Sequence, residues 1–589
     1  MRWTGIVLLL LAGLGAAAAA ETDSGKKADT DRRIQQLIGQ LGNADYAIRQ
    51  KAQAELEALG PEALDALEAA EGHEDLEIAS RARYLVRSIQ WQWIAKLDSK
   101  EAADPLRGYP ELDAASRLSR IRQLAELRGG KGVAALCRLV RFEPSQRLSK
   151  YAAVEVLQQV PPGEPPGEQL AAVVREGLGN STRPAARWLL TWTRFANKPA
   201  EALDRWARLV DEEQAVMKQA PAKTAPTIFA SLLRFQVARL EKAQRKDEAL
   251  AALRKLLEVQ TGDPLSLLRL ADLLAKQTAW PLVEEMETRF PRPVSSISLL
   301  LYCVANARAQ QGKVQEAEAT AARARGLDPG KVDLALFRHV QVAGELIERG
   351  MFAWAEQECR YVVATADRQD RAALFARHTL ASMFHDLDEN LKAAEVEKEM
   401  VEILKEARPG KTDLSLESLA TTTGQMHYYY ACHWLAKGDR QQHRKHLDDA
   451  LAADPQNVDA LIAAYRLADA PPEYRRKTTE GIKSCVAEMR KEIAARPTQA
   501  VQYNNLAWLV ANTEGDLDEA LKCSRKSLEL EPNNGGYNDT LGRVYYARGD
   551  HRSAVLYQGK AAELNPHSRQ IARQLKLFEE ALAAAKKPS

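Results

Sequence analysis

The most reactive grouping in the chain is a short stretch holding His427, Cys432, His433, His443 and His446. Neutral imidazole and thiolate are ligands for zinc and similar ions, and two histidines one turn apart on a helix can share one. His443 and His446 have that spacing. An antiparallel preceding helix would bring His427 or His433 near them, so His433, His443 and His446 come closest to a metal set. Against it, no carboxylate has a clear spacing for orienting the imidazoles, and Cys432 and His433 point different ways on a helix. Packed and solvated histidines account for the group, and the expectation is no metal and no cofactor. Gly129-Gly130-Lys131-Gly132 lacks the hydroxyl residue and preceding strand of a phosphate loop, so it reads as a turn between helices. The sequence contains no nucleophile elbow, no complete phosphate loop and no His-Glu-x-x-His. The expected catalytic set is therefore empty, and the chain reads as a non-enzyme. Tyr428, Tyr429 and Tyr430 fan around a helix, two of them toward a core or groove, while Trp91 and Trp93 read as packing.

The elements that must carry these side chains are helices. Apolar residues recur at three- and four-residue spacing from Arg33 onward, with short Gly, Pro, Asn or Asp breaks between segments. Hydrophobic residues make up 46% and charged residues 28% of the 589, which suits a folded protein. The net charge of +2 is spread evenly along the chain and excludes the basic footprint of a nucleic-acid binder. Met1-Arg2-Trp3, the apolar run Ile6 to Leu14 and the small residues Ala16 to Ala20 follow the plan of a secretory signal, with cleavage after Ala20. The expected location is periplasmic or extracellular, without a membrane span after cleavage; an uncleaved anchor is the competing reading. Export permits disulfides, but the six cysteines are far apart inside helical patterns and read as small buried apolar residues.

Two repeat groups organise the chain. In the first, Ile48, Ala52 and Leu56 line one helix face, Gly60-Pro61 breaks it, and Ile78, Ala82 and Leu85 repeat the face. This stretch resembles HEAT-like helical repeats. Residues 94–225 are helical but irregular, with Leu118, Ile121 and Leu124, then Leu148, Ala152 and Val156, on helix faces. Trp188, Trp192 and Trp206 fill gaps, and the Pro- and Gly-rich stretch 161–167 is a stiff break and candidate boundary.

In the second group Gly312, Gly438, Gly515 and Gly549 each precede a proline (Pro329, Pro455, Pro532 and Pro566) by 17 residues. Between them fall Ala317, His443, Ala520 and Ala554, then Ala324, Ala450, Ser527 and Ala561. The last two units are offset by 34 residues at every landmark. This pattern resembles the tetratricopeptide repeat: a glycine caps the first helix, small residues let two helices approach, and a proline ends the second. Degenerate units surround Gly350 with Ala355, and Leu380, Ala381, Phe384 with Ala393.

The expected fold is all-α, an α-α superhelix of stacked hairpins. The expected organisation is a signal at 1–20, a leader at 21–31, HEAT-like hairpins at 32–93 and irregular repeats at 94–225. A repeat array at 226–407, a linker at 408–424 and a second array with a capping helix at 425–582 follow. The resemblance implies that first helices line a concave face that binds protein or peptide partners. Carried over by position, the groove residues are Asn505, Leu509, Asn512, Asp539, Arg543 and Tyr546. No basic residue stands beside Asn505, which argues against a dedicated carboxylate clamp. The function implied is an exported, non-catalytic scaffold; the alternative is an envelope enzyme or metal-binding protein with a site near His427–His446.

Overall fold

The computed structural model describes residues 29–59, 63–88, 98–161, 163–327, 333–406 and 419–585. The signal segment, most of the leader, Gly60-Pro61, Trp91, Trp93, Pro329 and residues 407–418 lie outside them. The described residues form helices joined by short turns, without a strand. No described helix is long and apolar enough to cross a membrane. Contacts divide the chain into two compact units, Met1–Leu282 and Val283–Ser589.

In the first unit, residues 29–40 pack with Tyr46–Leu59, Leu64–Ala70 and Leu76–Ser88 around Ile34, Leu37, Leu41, Leu56, Leu67 and Leu85. Ala52, Ile78 and Ala82 join this core, but Ile48, expected on the same face, is 39% exposed. It lies in the first turn of its helix, away from the core-facing positions 52 and 56. Further along, Ile121, Leu124, Leu148, Ala152 and Val156 are buried, whereas Leu118 is half-buried. Trp188, Trp192 and Trp206 fill the interior. The indole N–H groups of the last two donate to the carbonyls of Glu164 and Leu232, each at 3.3 Å. In the stretch expected to be a break, Gly163 is pinned to the helix Pro226–Lys242: Arg239 donates to its carbonyl at 2.7 Å, and a Cβ on it would meet Ala238 at 2.8 Å.

This unit also buries an ion pair. Lys150 Nζ lies 2.6 Å from Glu213 Oε2, both side chains 2% exposed, and Thr224 donates a third bond to the same carboxylate. Each charge is tolerated there because the other compensates it.

The second unit contains hairpins Ser298–Gln310 with Val314–Arg325, and Asp333–Glu348 with Phe352–Thr365. They are followed by α1 (Arg371–Asp386), α2 (Asn390–Glu406), α3 (Leu419–Ala436), α4 (Arg440–Ala453), α5 (Val458–Tyr465) and α6 (Pro472–Ala495). The array ends with α7 (Ala500–Asn512), α8 (Leu517–Leu530), α9 (Gly535–Ala547), α10 (His551–Leu564) and α11 (Arg569–Ala585). The small landmark residues do as expected: Ala317, Ala324, Ala450, Ala520, Ser527, Ala554 and Ala561 are all buried where helices meet. Residues 419–424, read from sequence as the end of a linker, already belong to α3. Thr422 is buried, Thr423 bonds back to the Leu419 carbonyl at 2.6 Å, and a Cβ on Gly424 would meet Asp454 at 2.7 Å. A polar composition here reflects close helix packing, not a flexible joint.

The turn after the first helix of a hairpin repeats along the chain. At Gly312 the amide bonds the Ala309 carbonyl at 2.9 Å, and the next amide, of Lys313, reaches back to Arg308 at 2.9 Å. The same pair of bonds recurs at Gly350, Gly438 and Gly549, all with φ between 72° and 79°. It also recurs at Gln244, Thr278 and Asp388, with φ of 58°, 53° and 63°. Gln244, Thr278 and Gly312 are 34 residues apart in sequence, so the period starts well before the first glycine that marks it. Gly515 departs from the rule. It stands beyond the end of α7, with φ of 145°. There Asn512 and Thr513 side chains bond the carbonyls of Trp508 and Leu509 at 2.8 and 2.6 Å.

The array of the second unit also closes on itself. Ser568, just before α11, donates to Asp386 at 2.8 Å, and Arg569 donates to the Leu387 carbonyl at 2.8 Å. Arg573 pairs with Asp388, and His567 packs edge-on against Phe352 at 6.5 Å. Helix α11 meanwhile covers the last repeat, with Phe578 buried and stacked on Tyr546 at 4.5 Å.

Two outcomes follow from these contacts. Glu213→Ala strands the Lys150 charge and costs about 3–5 kcal/mol in thermal or urea unfolding, while Lys150→Met with Glu213→Leu recovers most of it. Thr278 is an exposed β-branched residue in left-handed conformation, which costs ~1–2 kcal/mol. Thr278→Gly therefore raises stability by about 0.5–1 kcal/mol after the extra freedom of glycine in the unfolded chain is counted, read as a higher urea midpoint.

Candidate functional site

The first helices of successive hairpins, α1, α3, α5, α7 and α9, bring a band of polar and aromatic side chains together. Trp508 on α7 donates its indole N–H to Asp459 on α5 at 3.3 Å. Burial pushes the Asp459 carboxyl up, while the indole bond and the nearby His385 of α1 pull it down. Tyr428 of α3 lies edge-on to His385 at 5.7 Å, and burial raises its phenol well above the usual range. Arg466, just past α5, donates to Asn512 of α7.

The six groove residues expected from sequence divide here. Leu509 is fully buried in a core with Leu506, Val510 and Val544, and Asn512 is 6% exposed, its side chain used by Arg466 and the Trp508 carbonyl. Neither can line an open groove. The rotation of α7 that turns these two side chains inward is set by its packing against α6, α8 and α9. Asp539 is half-buried and accepts from Gln558 at 2.5 Å and from Gln574 of α11 at 3.0 Å. Burial pushes its carboxyl up to about 6. Tyr546 is covered on one face by Phe578.

Asn505 and Arg543 remain, both half-buried. The Arg543 guanidinium lies 5.2 Å over the Tyr546 ring, its Nε is buried and without a hydrogen-bond partner, and no ion pair closes on it among the described residues. Burial holds its pKa below the usual value, and the nearby Arg466 charge lowers it further. Two cations therefore share this face, and Asp539, whose charge acts on Arg543, is engaged by glutamines. Such a surface favours an incoming carboxylate. Arg466 was not anticipated from sequence, since it lies after the helix end in a unit without the glycine signature.

The histidines also rearrange. His443 is 4% exposed and its Nδ1–H donates to the Ala431 carbonyl at 2.8 Å, which explains how an imidazole fits a position otherwise held by alanine. His433 lies edge-on to Trp434 at 5.2 Å. The set His433, His443 and His446 is thus not assembled. His446 of α4 instead faces His427 of α3, with Nδ1 atoms 3.0 Å apart, and Asp449 stands one turn along from His446. The carboxylate missed from sequence was legible as an i, i+3 neighbour of His446. The cysteines match the buried apolar reading in part: Cys137, Cys303, Cys359 and Cys485 are buried, and Cys432 and Cys523 are half-buried. Burial pushes the thiols of Cys137, Cys359 and Cys432 up to about 12.

Comparison with known proteins adds one sequence match and several distant structures. The tetratricopeptide-repeat family model matches residues 503–534, which span most of α7 and all of α8. No curated protein matches the sequence. Among solved structures, the tetratricopeptide domain of P58(IPK) is 15% identical, covering 69% of this chain and 99% of that one, with a TM-score of 0.17. Naa15/Naa10 bound to HypK-THB is 16% identical, covering 77% and 67%, with a TM-score of 0.24. Yeast Tom70 is 15% identical, covering 71% and 90%, with a TM-score of 0.23. The repeated 34-residue spacing, the small residues buried between paired helices and the match at 503–534 converge on tetratricopeptide-type repeats within the C-terminal array.

Proposed function

We propose that this protein is an exported, non-catalytic scaffold that binds an acidic segment of a protein partner on the inner face of its C-terminal array. The observation that carries the reading is Arg543. Its guanidinium is desolvated, stacked on Tyr546 and short of a partner at Nε, and the Arg466 charge beside it adds to the pull on a carboxylate. Asn505, whose side chain makes no hydrogen bond among the described residues, can donate to a peptide carbonyl from the neighbouring first helix. Preformed donors of this kind lose little entropy on binding. The export half of the reading rests on the segment from Met1 to Ala20 and its three-part plan.

The binding half is tested with the full chain from Glu21 onward against immobilised peptide libraries and against the envelope fraction. Acidic peptides are expected to be enriched, and Arg543→Ala with Asn505→Ala lowers their affinity by about 10-fold or more, since a hydrogen bond to a charged group contributes ~1.5–3 kcal/mol. Undiminished binding by that variant, with its helical circular dichroism intact, rejects this face. The export half is tested by intact mass: the protein recovered outside the cytoplasm begins at Glu21, and a mass that retains residues 1–20 identifies an anchor instead.

A further inference from the structure

Helices α3 and α4 form one hairpin, and three ligand-bearing side chains meet across it. His427 comes from α3, and His446 and Asp449, three residues apart, come from the facing side of α4. One ligand atom of each lies within 4.8 Å of those of the other two, and all three residues are half-buried. The two Nδ1 atoms are 3.0 Å apart, and the Asp449 carboxylate is 4.0 Å from that of His427.

These separations can be compared with those an ion requires. Bonds of ~2.0–2.1 Å in a tetrahedron put neighbouring ligand atoms about 3.3 Å apart. The imidazole pair is slightly tighter than that and the carboxylate slightly looser, so small side-chain rotations suffice. With Nδ1 facing Nδ1, one ring donates its proton and the other offers a lone pair, and the donor ring takes an ion at Nδ1 once its proton moves to Nε2. Tyr430 holds the His446 ring by stacking on it at 5.1 Å, and its hydroxyl is tied to Glu395 at 2.6 Å. Lys445 opposes a cation there, and Asp449 favours one. Asp449 also borders a surface cleft with Arg440, Arg444, Lys445, Asp448 and Asp469, and the half-burial of all three ligand residues leaves the cluster within reach of solvent.

We infer that His427, His446 and Asp449 form a binding site for a single divalent ion of the zinc class, bridging the two helices of this hairpin. Two imidazoles and one carboxylate select zinc and its first-row neighbours over calcium and magnesium, which take oxygen ligands. A fourth position stays open to water. The inference stands apart from the peptide-binding reading and survives if that reading fails.

The test uses the full chain from Glu21 onward, stripped with a chelator and titrated with Zn2+ in competition with a chromophoric chelator. One equivalent is expected to bind, with a rise in melting temperature that Ca2+ does not produce. His427→Ala with His446→Ala weakens that equivalent by about 100-fold or more, and Asp449→Asn by about 10-fold. His433→Ala, which removes an imidazole outside the cluster, leaves it unchanged. Co2+ in place of Zn2+ gives the visible absorption of a four-coordinate ion in the wild type and not in the double variant. Circular dichroism confirms that each variant remains helical. Failure of the wild type to bind, or an equivalent retained by the double variant, overturns the site.

Discussion

The main-chain hydrogen bond that reaches back across the end of a first helix, present at Gln244, Thr278, Gly312, Gly350, Asp388, Gly438 and Gly549, is the constraint on which most of the hairpins depend. It forces one residue into the left-handed region and reverses the chain within a few residues, so the second helix returns alongside the first. Once the return path is set, helix separation follows from the side chains at the crossing, and the buried alanines at 317, 324, 520, 554 and 561 keep it short. A single hairpin cannot cover the apolar faces that result, so each needs its neighbour and the stack propagates. Where a residue other than glycine takes the turn, the strain is a kilocalorie or two, small against the burial gained on both sides.

Propagation then determines the inner face. First helices stand side by side, so residues from distant repeats become neighbours: His385, Tyr428, Asp459, Trp508 and Arg543 come from five different helices. The closure of Ser568, Arg569 and Arg573 on residues 386–388 brings the last repeat back to the middle of the array. Those closing contacts are polar and largely exposed, a kind that contributes little stability. The face therefore owes its shape chiefly to the packed hairpins.

The same geometry explains why the histidines regroup. In a hairpin, side chains meet across the interface according to how two antiparallel helices are rotated, and closeness in sequence is no guide. His443 turns into the interface and satisfies itself on a backbone carbonyl, while His446, one turn on, meets His427 and leaves His433 outside.

Much was determined by the sequence alone. The all-α class, the 34-residue period, the left-handed glycines at 312, 350, 438 and 549 and the small residues at helix crossings are local properties. They depend on 3.6-residue periodicity and on which residues tolerate a positive φ. Gln244, Thr278 and Asp388 hid three further turns because their strain is bearable and leaves no glycine to read. The half-burial of Asn505 against the full burial of Leu509 and the near-complete burial of Asn512, and the pairing of His446 with His427 and Asp449, were decided only in the tertiary structure. Each depends on how a helix is rotated against neighbours many residues away, and no pattern within one repeat encodes that rotation.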